Sequence, residues 1–190
     1  MVMHRSRVPC RTARGEAAAR RPEHIHSVLK LPHGIATDGL PRLAEHAHGH
    51  PGAAVQACRV QMMLGGGRVP FLPADTADPE FPEVRGIRAD GRNLIDEWRA
   101  ANGTGRYVWD RSGFDALSPA DDGPVLGLFQ PSHMQFEADR AADPGGEPSL
   151  AEMTAFAIDK LSADPEGFFL MVEAGRIDHA HHGANAYRAL

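Results

Sequence analysis

The most regular pattern of hydrophobic and polar positions begins at Ser149 and continues into the apolar segment that follows it. Ser149 stands three residues before Glu152, which is the spacing of a capping box at a helix start. Residues 168–172 (FFLMV) are apolar throughout, which predicts a strand buried on both faces of a parallel sheet. A helix followed by a turn and a buried strand is half of a doubly wound α/β unit, in which ligands bind beyond the carboxyl end of the strand. The predicted helix covers 149–161, where apolar residues recur at helical spacing: Leu150, Met153, Ala157 and Leu161.

Shorter patterns upstream predict further elements of the same α/β sheet. The segment 55–64 ends in the apolar run VQMML before three glycines, which predicts a buried strand. Residues 93–101 (NLIDEWRAA) have an apolar face at helical spacing and stop at Asn-Gly, which predicts a helix. Short strands are expected at 107–109 and 125–129, and the region around 40–46 is compatible with another helix.

Length and composition set the scale of the fold. With 190 residues, 42% of them hydrophobic and 24% charged, the chain is long enough for one domain with a core. The 20 glycines and 15 prolines favour many loops and short elements over a helical bundle. Residues 1–33 hold six arginines against two glutamates and show no regular period, so we expect a poorly defined, flexible leader there. Residues 34–190 are expected to form the folded part.

Charge, hydropathy and cysteine content narrow the classes of partner. A formal net charge of −5 argues against nucleic acid, whose phosphates call for an excess of Lys and Arg. No apolar run approaches the ~20 residues that span a bilayer, so no membrane segment is predicted. The basic start lacks the apolar stretch of a secretory signal, so the sequence does not reveal the localisation. Cys10 and Cys58 lack a motif for catalysis or a disulfide framework and are interpreted as inert thiols.

The histidine content is high and points to candidate chemistry, because 11 histidines occur in 190 residues and six of them form two groups. The first group alternates with other residues, and its composition is only a weak cue for adventitious metal binding: His46, His48 and His50. The second group lies beyond the predicted strand 168–172, where ligands bind in α/β sheets. It consists of His179, His181 and His182.

The segment around the second group contains a candidate metal pair. Asp178 and His182 are spaced i, i+4, so on a helix both side chains project from one face and can hold one cation. A carboxylate with a neutral imidazole suits Zn²⁺, and the carboxylate of Glu173 at the strand end suits Mg²⁺. The alternative is a weak surface pair on an exposed helix. Spacing alone leaves both interpretations open.

The three glycines at 65–67 also allow two interpretations. A phosphate-binding loop would need Lys followed by Ser or Thr, but Arg68 and Val69 stand at those positions. Close packing of the backbone at a strand end is therefore favoured.

The segment VEAGRIDHAHHGANAYRAL resembles the metal-ligand segment of alkaline phosphatases, particularly the animal-type and related bacterial forms. The resemblance continues upstream in the same order through FQPSHMQFEADR, YVWDR, RADGRNLIDEW and MLGGGR, and so covers residues 61–190. It implies a doubly wound α/β sheet like that of alkaline phosphatase, present here as a fragment. Some other phosphodiesterase or sulfatase of the same superfamily is disfavoured, because EAGRIDHAHH resembles the phosphatase branch.

The resemblance also assigns roles to individual residues. Glu173 matches the magnesium ligand, and Asp178 and His182 match two ligands of one catalytic zinc. His179 matches a position near the phosphate and is expected to orient it, whereas His181 is expected on the helix surface and Arg176 in a structural role. The implied cofactors are Zn²⁺ and Mg²⁺, and the implied substrate is a phosphate monoester hydrolysed through a phosphoserine. A homodimer in a periplasmic or extracellular setting is implied as well.

The sequence departs from that family in two respects. None of its seven serines follows an aspartate, although the family uses an Asp-Ser nucleophile, and the later zinc ligands are not found. We therefore expect the chain by itself to be inactive, with a metal-binding remnant or pseudo-phosphatase as the alternative. The calcium site of animal-type members is matched by Phe129, but Gln130 replaces a carboxylate and only Glu147 lies near another acidic position, so no calcium is predicted. Unpaired strand edges in a partial sheet further predict poor solubility.

Overall fold

The computed structural model describes the backbone of residues 2–5, 59–165 and 167–190, and the side chains of 60–165 and 167–190. The helix considered around 40–46, the first histidine group and both cysteines lie outside the described residues. Most of the predicted leader 1–33 does so too, but its residues Val2–Arg5 form a strand.

Five strands form one sheet: β1 (Val2–Arg5), β2 (Arg59–Gly65), β3 (Arg106–Val108), β4 (Val125–Leu128) and β5 (Phe169–Met171). Their order across the sheet is β3-β4-β2-β1-β5. β4 pairs parallel with both β2 and β3, whereas β1 pairs antiparallel with β2 and β5. β2 and β5 consequently run in the same direction, so the carboxyl ends of β2 to β5 meet at one edge of the sheet.

Five α-helices accompany the sheet in the described residues: α1 (Leu94–Ala101), α2 (Arg111–Asp115), α3 (Leu150–Leu161), α4 (Gly175–His182) and α5 (Ala186–Ala189). α1 begins where the Asn93 side chain accepts hydrogen bonds from two backbone amides of the first turn. α3 begins with the predicted capping box, in which the side chains of Ser149 and Glu152 each accept from the other's backbone amide. Within the described parts of the chain, none of these helices has the length and apolar character needed to cross a membrane.

Helices cover both faces of the sheet, as a doubly wound α/β fold requires. Successive strand residues point to opposite faces, so Met62 and Leu64 join one core cluster and Met63 joins the other. The first cluster includes Phe114 of α2 together with the buried stripe of α3, and the second includes the apolar face of α1. The predicted fold class is confirmed, and the predicted elements 93–101, 107–109, 125–129 and 149–161 correspond to α1, β3, β4 and α3.

The environment predicted for the strand at 168–172 is wrong. β5 covers only Phe169–Met171, lies at the end of the sheet and pairs antiparallel with β1 rather than parallel within the sheet interior. Phe169 is 65% exposed and Val172 is 41% exposed. An apolar strand is buried on both faces only where other elements pack against both faces. Among the described residues, nothing packs over the side of β5 that faces away from β1.

Candidate functional site

The glycines after β2 hold two loops of the carboxyl edge together. A Cβ atom added to Gly66 would lie 2.2 Å from the carbonyl oxygen of Ser132 and 3.1 Å from the amide nitrogen of Met134. Gly67 has a φ of 85° and donates from its amide to the same Ser132 oxygen at 2.6 Å. The predicted close backbone packing is confirmed, and it fixes the loop that follows β4 against the end of β2.

Arg68, which follows these glycines, is fully buried and committed to internal partners. Its guanidinium forms two hydrogen bonds with Asp78, at 2.6 and 2.7 Å, and another with Glu80 at 2.9 Å. It also donates to the carbonyl of Leu128 at 2.9 Å, at the end of β4. Burial alone would lower the pKa of Arg68, but the two carboxylates outweigh burial and the pKa is raised. The side chain ties the 78–80 turn to the sheet edge, and all of these donors point inward.

The second histidine group lies on α4, which begins soon after β5 at the same edge of the sheet. Along this helix the Oδ2 atom of Asp178 lies 3.5 Å from Nε2 of His182, the predicted i, i+4 pairing. Both side chains are open to solvent, with 55% of Asp178 and 80% of His182 exposed. An entering cation could therefore reach one carboxylate oxygen and one imidazole nitrogen together.

Glu173 lies between β5 and α4 and is also exposed. Among the residues that the structure describes, no three His, Cys, Asp or Glu side chains are grouped closely enough to hold a metal ion. The structure thus brings Asp178 and His182 together as a pair of potential ligands but does not join Glu173 to them.

His179 is less exposed than its histidine neighbours and contacts side chains of α4 and of the loop after β4. The Nη1 atom of Arg176 lies 2.9 Å from its Nδ1 atom. Its ring packs edge-on against the ring of His133, with 4.6 Å between ring centroids. His133 belongs to the loop held by Gly66, so the end of β2 is connected through that loop to α4. His181 is exposed on the helix, as predicted.

Phe136 fastens the two C-terminal helices to the same loop region. The guanidinium carbon of Arg176 lies 3.7 Å from the centroid of the Phe136 ring, and that of Arg188 lies 4.9 Å from it. Arg188 also forms an ion pair with Asp139 at 2.8 Å. These contacts hold α4 and α5 in place. Because many residues of the two helices are exposed to solvent, burial of their side chains contributes little to this placement.

A buried carboxylate lies near this site, and the sequence relates it only to an acidic position of a calcium site. Glu147 is only 2% exposed, and its Oε1 accepts from the backbone amide of Gln135 at 2.8 Å. Its Oε2 and the Oδ2 of Asp143 have no hydrogen-bond partner among the described residues, and the Gln130 amide donates to the other oxygen of Asp143. Burial raises the pKa of Glu147 to about 7, and the nearby Asp143 charge adds to the rise, against the amide of Gln135. Nothing in the local spacing signals this burial, because only the fold closes over the side chain.

Glu147 and Glu173 line one cavity beside the site. The cavity has a volume of about 860 Å³ and lies between α3 and the segment that links β5 to α4. Its apolar lining includes Met153, Val172 and Ile177.

The sheet has parallel strands that end at one loop-rich edge, with an acid–imidazole pair there, and this is the edge at which α/β proteins commonly bind ligands. The alkaline phosphatase family profile matches residues 42–190, and the chain belongs to that family. It is 43% identical over 137 residues to the tissue-nonspecific alkaline phosphatase of Gallus gallus, a match that covers 69% of this chain and 26% of the chicken protein. The membrane-bound alkaline phosphatase of Bombyx mori is also 43% identical, with 70% of this chain and 24% of that protein covered.

A solved structure agrees with this assignment. The alkaline phosphatase of Thermus thermophilus superimposes with a TM-score of 0.55 at 32% identity, covering 69% of this chain and 24% of that one. The chain therefore spans about a quarter of the length of these relatives.

Proposed function

We propose that this chain carries part of the catalytic site of a metal-dependent phosphate monoester hydrolase. The observation that supports the proposal most directly is the 3.5 Å approach of Asp178 to His182 on α4, directly beyond a strand end. Membership of the alkaline phosphatase family supports the reaction class.

The side chains at this edge fit divalent cations in different ways. Asp178 and His182 would hold a zinc ion, and Glu173 would hold magnesium. Bound cations would lower the pKa of an attacking hydroxyl and neutralise charge on the phosphoryl group. His179 would orient the phosphoryl oxygens beside this pair. A zinc ion held by only two protein ligands is bound weakly, since catalytic zinc sites use about three.

We further propose that the 190-residue chain alone has negligible turnover. None of its seven serines follows an aspartate, so the sequence lacks the Asp-Ser nucleophile motif of the family. The same observation keeps a second function in consideration, a metal-binding remnant without catalysis. Hydrolysis of p-nitrophenyl phosphate by the purified chain at an ordinary enzymatic rate would refute the proposed inactivity.

The metal assignment is tested by calorimetric titration of the chain with Zn²⁺. The background for all variants replaces His46, His48 and His50 with Gln, which removes adventitious binding. In that background Asp178→Asn and His182→Gln should each weaken zinc binding by about tenfold or more, because each removes one of two ligands. His181→Gln is the matched control, since His181 is an exposed histidine of the same helix, and it should bind as the background does. Equal affinity in all four proteins would rule out the pair as ligands.

Magnesium binding at Glu173, a homodimer and a periplasmic or extracellular setting belong to the same proposal. They are supported by the resemblance to the family.

A further inference from the structure

The ring of His179 is fixed by contacts that neither zinc ligand shares. Arg176, one turn earlier on α4, approaches its Nδ1 atom at 2.9 Å. His133 contacts the ring from the loop after β4, with the two ring planes inclined at 67°. The imidazole therefore has a defined orientation, whereas the side chains of Asp178 and His182 are largely solvated.

The contact with Arg176 also determines where the imidazole proton lies. A guanidinium has five N–H donors and no acceptor, so in this hydrogen bond the Nδ1 atom of His179 must be the acceptor. A neutral imidazole that accepts through Nδ1 carries its proton on Nε2. Nε2 is then the donor nitrogen of the ring.

The guanidinium of Arg176 is itself held firmly in place. Its carbon lies 3.7 Å from the centroid of the Phe136 ring, which restricts the plane of the group. Its Nε atom is buried and has no hydrogen-bond partner among the described residues. A buried N–H without a hydrogen-bond partner is unfavourable, so packing on Phe136 and the bond to His179 together hold this conformation.

His133 is fixed from the other side by the glycine turn. Because Gly66 has no Cβ atom, the backbone of residues 132–134 approaches the end of β2 closely and occupies the space that a Cβ atom would take. The amide of Gly67 hydrogen-bonds the Ser132 carbonyl at 2.6 Å. The ring that contacts His179 thus comes from a loop tied to the centre of the sheet.

We infer that Arg176 is a positioning residue that holds His179 in the tautomer with its proton on Nε2, while His133 keeps the ring in place. Arg176 thereby has a role beyond the structural one expected from the sequence. An N–H donor on the residue that follows Asp178 in the chain suits an oxygen of a phosphoryl group, and this last step rests on the proposed function.

The inference is tested on the full 190-residue chain with ¹⁵N-labelled histidine, by long-range ¹H–¹⁵N correlation of the imidazole nitrogens. His179 should show a protonated Nε2 and an unprotonated Nδ1. In Arg176→Met, which removes the donor and keeps an unbranched side chain, the Nδ1 resonance should move toward the average of the two exchanging tautomers. In Arg176→Lys, whose ammonium can still donate, that movement should be smaller.

Arg188→Met is the matched control, because Arg188 also lies over Phe136 but forms an ion pair with Asp139 instead. It should leave the His179 nitrogens unchanged. A proton on Nδ1 of His179 in the unmodified chain would overturn the inference, and so would an equal shift in Arg188→Met and Arg176→Met. Should Arg176→Met not fold, the tautomer of the unmodified chain and of Arg176→Lys decides the matter.

The zinc titration separates this inference from the proposed function. Loss of the Nε2–H tautomer with intact zinc binding at Asp178 and His182 would remove only the positioning role. If His179 shows the Nε2–H tautomer but the chain does not bind zinc at Asp178 and His182, the proposed function is refuted and the role of Arg176 is retained.

Discussion

At the scale of single residues, Glu147 shows how the fold changes the chemistry of a side chain. It is buried beside Asp143, and one oxygen of each carboxylate lacks a hydrogen-bond partner among the described residues. Burial raises the pKa of Glu147 from the ordinary 4.5 to about 7. Between these two values the folded chain binds more protons than the unfolded chain, so the free energy of unfolding falls as pH rises through that window.

Replacing this carboxyl should remove that pH dependence. In buffer with EDTA, Glu147→Gln should unfold with a free energy up to about 3 kcal/mol higher than the unmodified chain above pH 7, because no charge is buried. The difference should shrink toward zero as pH falls to the ordinary pKa of a glutamate. Urea unfolding at a series of pH values measures it.

The control for this prediction is Glu83→Gln, which changes an exposed glutamate. It should leave the pH profile of the unmodified chain in place. Parallel profiles for Glu147→Gln and the unmodified chain would show that Glu147 is charged at no cost in the folded state.

At the scale of elements, the turn after β2 has a role that its sequence only partly indicates. Gly66 admits the backbone of the loop after β4, and that loop carries His133 to the ring of His179. The glycine run therefore connects the sheet to the candidate site through this loop.

Adding a single methyl group to this turn should be destabilising. In Gly66→Ala the new Cβ would lie 2.2 Å from a backbone oxygen, so the two loops must separate. A cost of about 1–3 kcal/mol in the free energy of unfolding is expected for such overpacking. Gly103→Ala is the control, because nothing lies within 4 Å of the added atom there, and its effect should stay within about 0.5 kcal/mol. Equal effects of the two substitutions in chemical denaturation would contradict the close approach.

Elements differ in how far their sequence predicts them. α1 and α3 are predicted correctly because the apolar face and Asn-Gly stop of α1 and the capping box of α3 are patterns within the helices and their ends. The FFLMV run of β5 also predicts a strand correctly. Its burial is predicted wrongly, because burial depends on neighbours that the local pattern does not contain. The close packing at Gly66 is predicted only by elimination, because the glycines are not followed by the Lys and Ser or Thr that a phosphate-binding loop needs.

At the scale of the whole molecule, the described residues around β5 expose several apolar side chains. Phe168, Phe169 and Val172 around β5 are exposed, as is Ile177 of α4. β5 also ends the sheet, so its outer edge has no partner strand among the described residues. An exposed apolar edge strand favours association between chains.

A charge on that edge should reduce self-association. Phe169→Lys places an ammonium where a phenyl ring is 65% exposed, and it should increase the fraction of monomer in sedimentation velocity. Ile87→Lys changes a side chain that is 66% exposed outside β5, and it should leave the distribution as it is. A monodisperse monomer of the unmodified chain would contradict the expected association.

The sequence by itself determined the class of the fold, the helices α1 and α3 and the pairing of Asp178 with His182, because helical periodicity, caps and i, i+4 spacing act over a few residues. It also identified the alkaline phosphatase family, since a long series of motifs in the same order can be recognised without knowing the geometry. Only the tertiary structure decided that β5 is an edge strand, that Glu147 is buried and that His133 packs against His179. Each of these depends on segments far apart in the chain being packed together, and no local pattern encodes which distant side chain will exclude water or supply a donor.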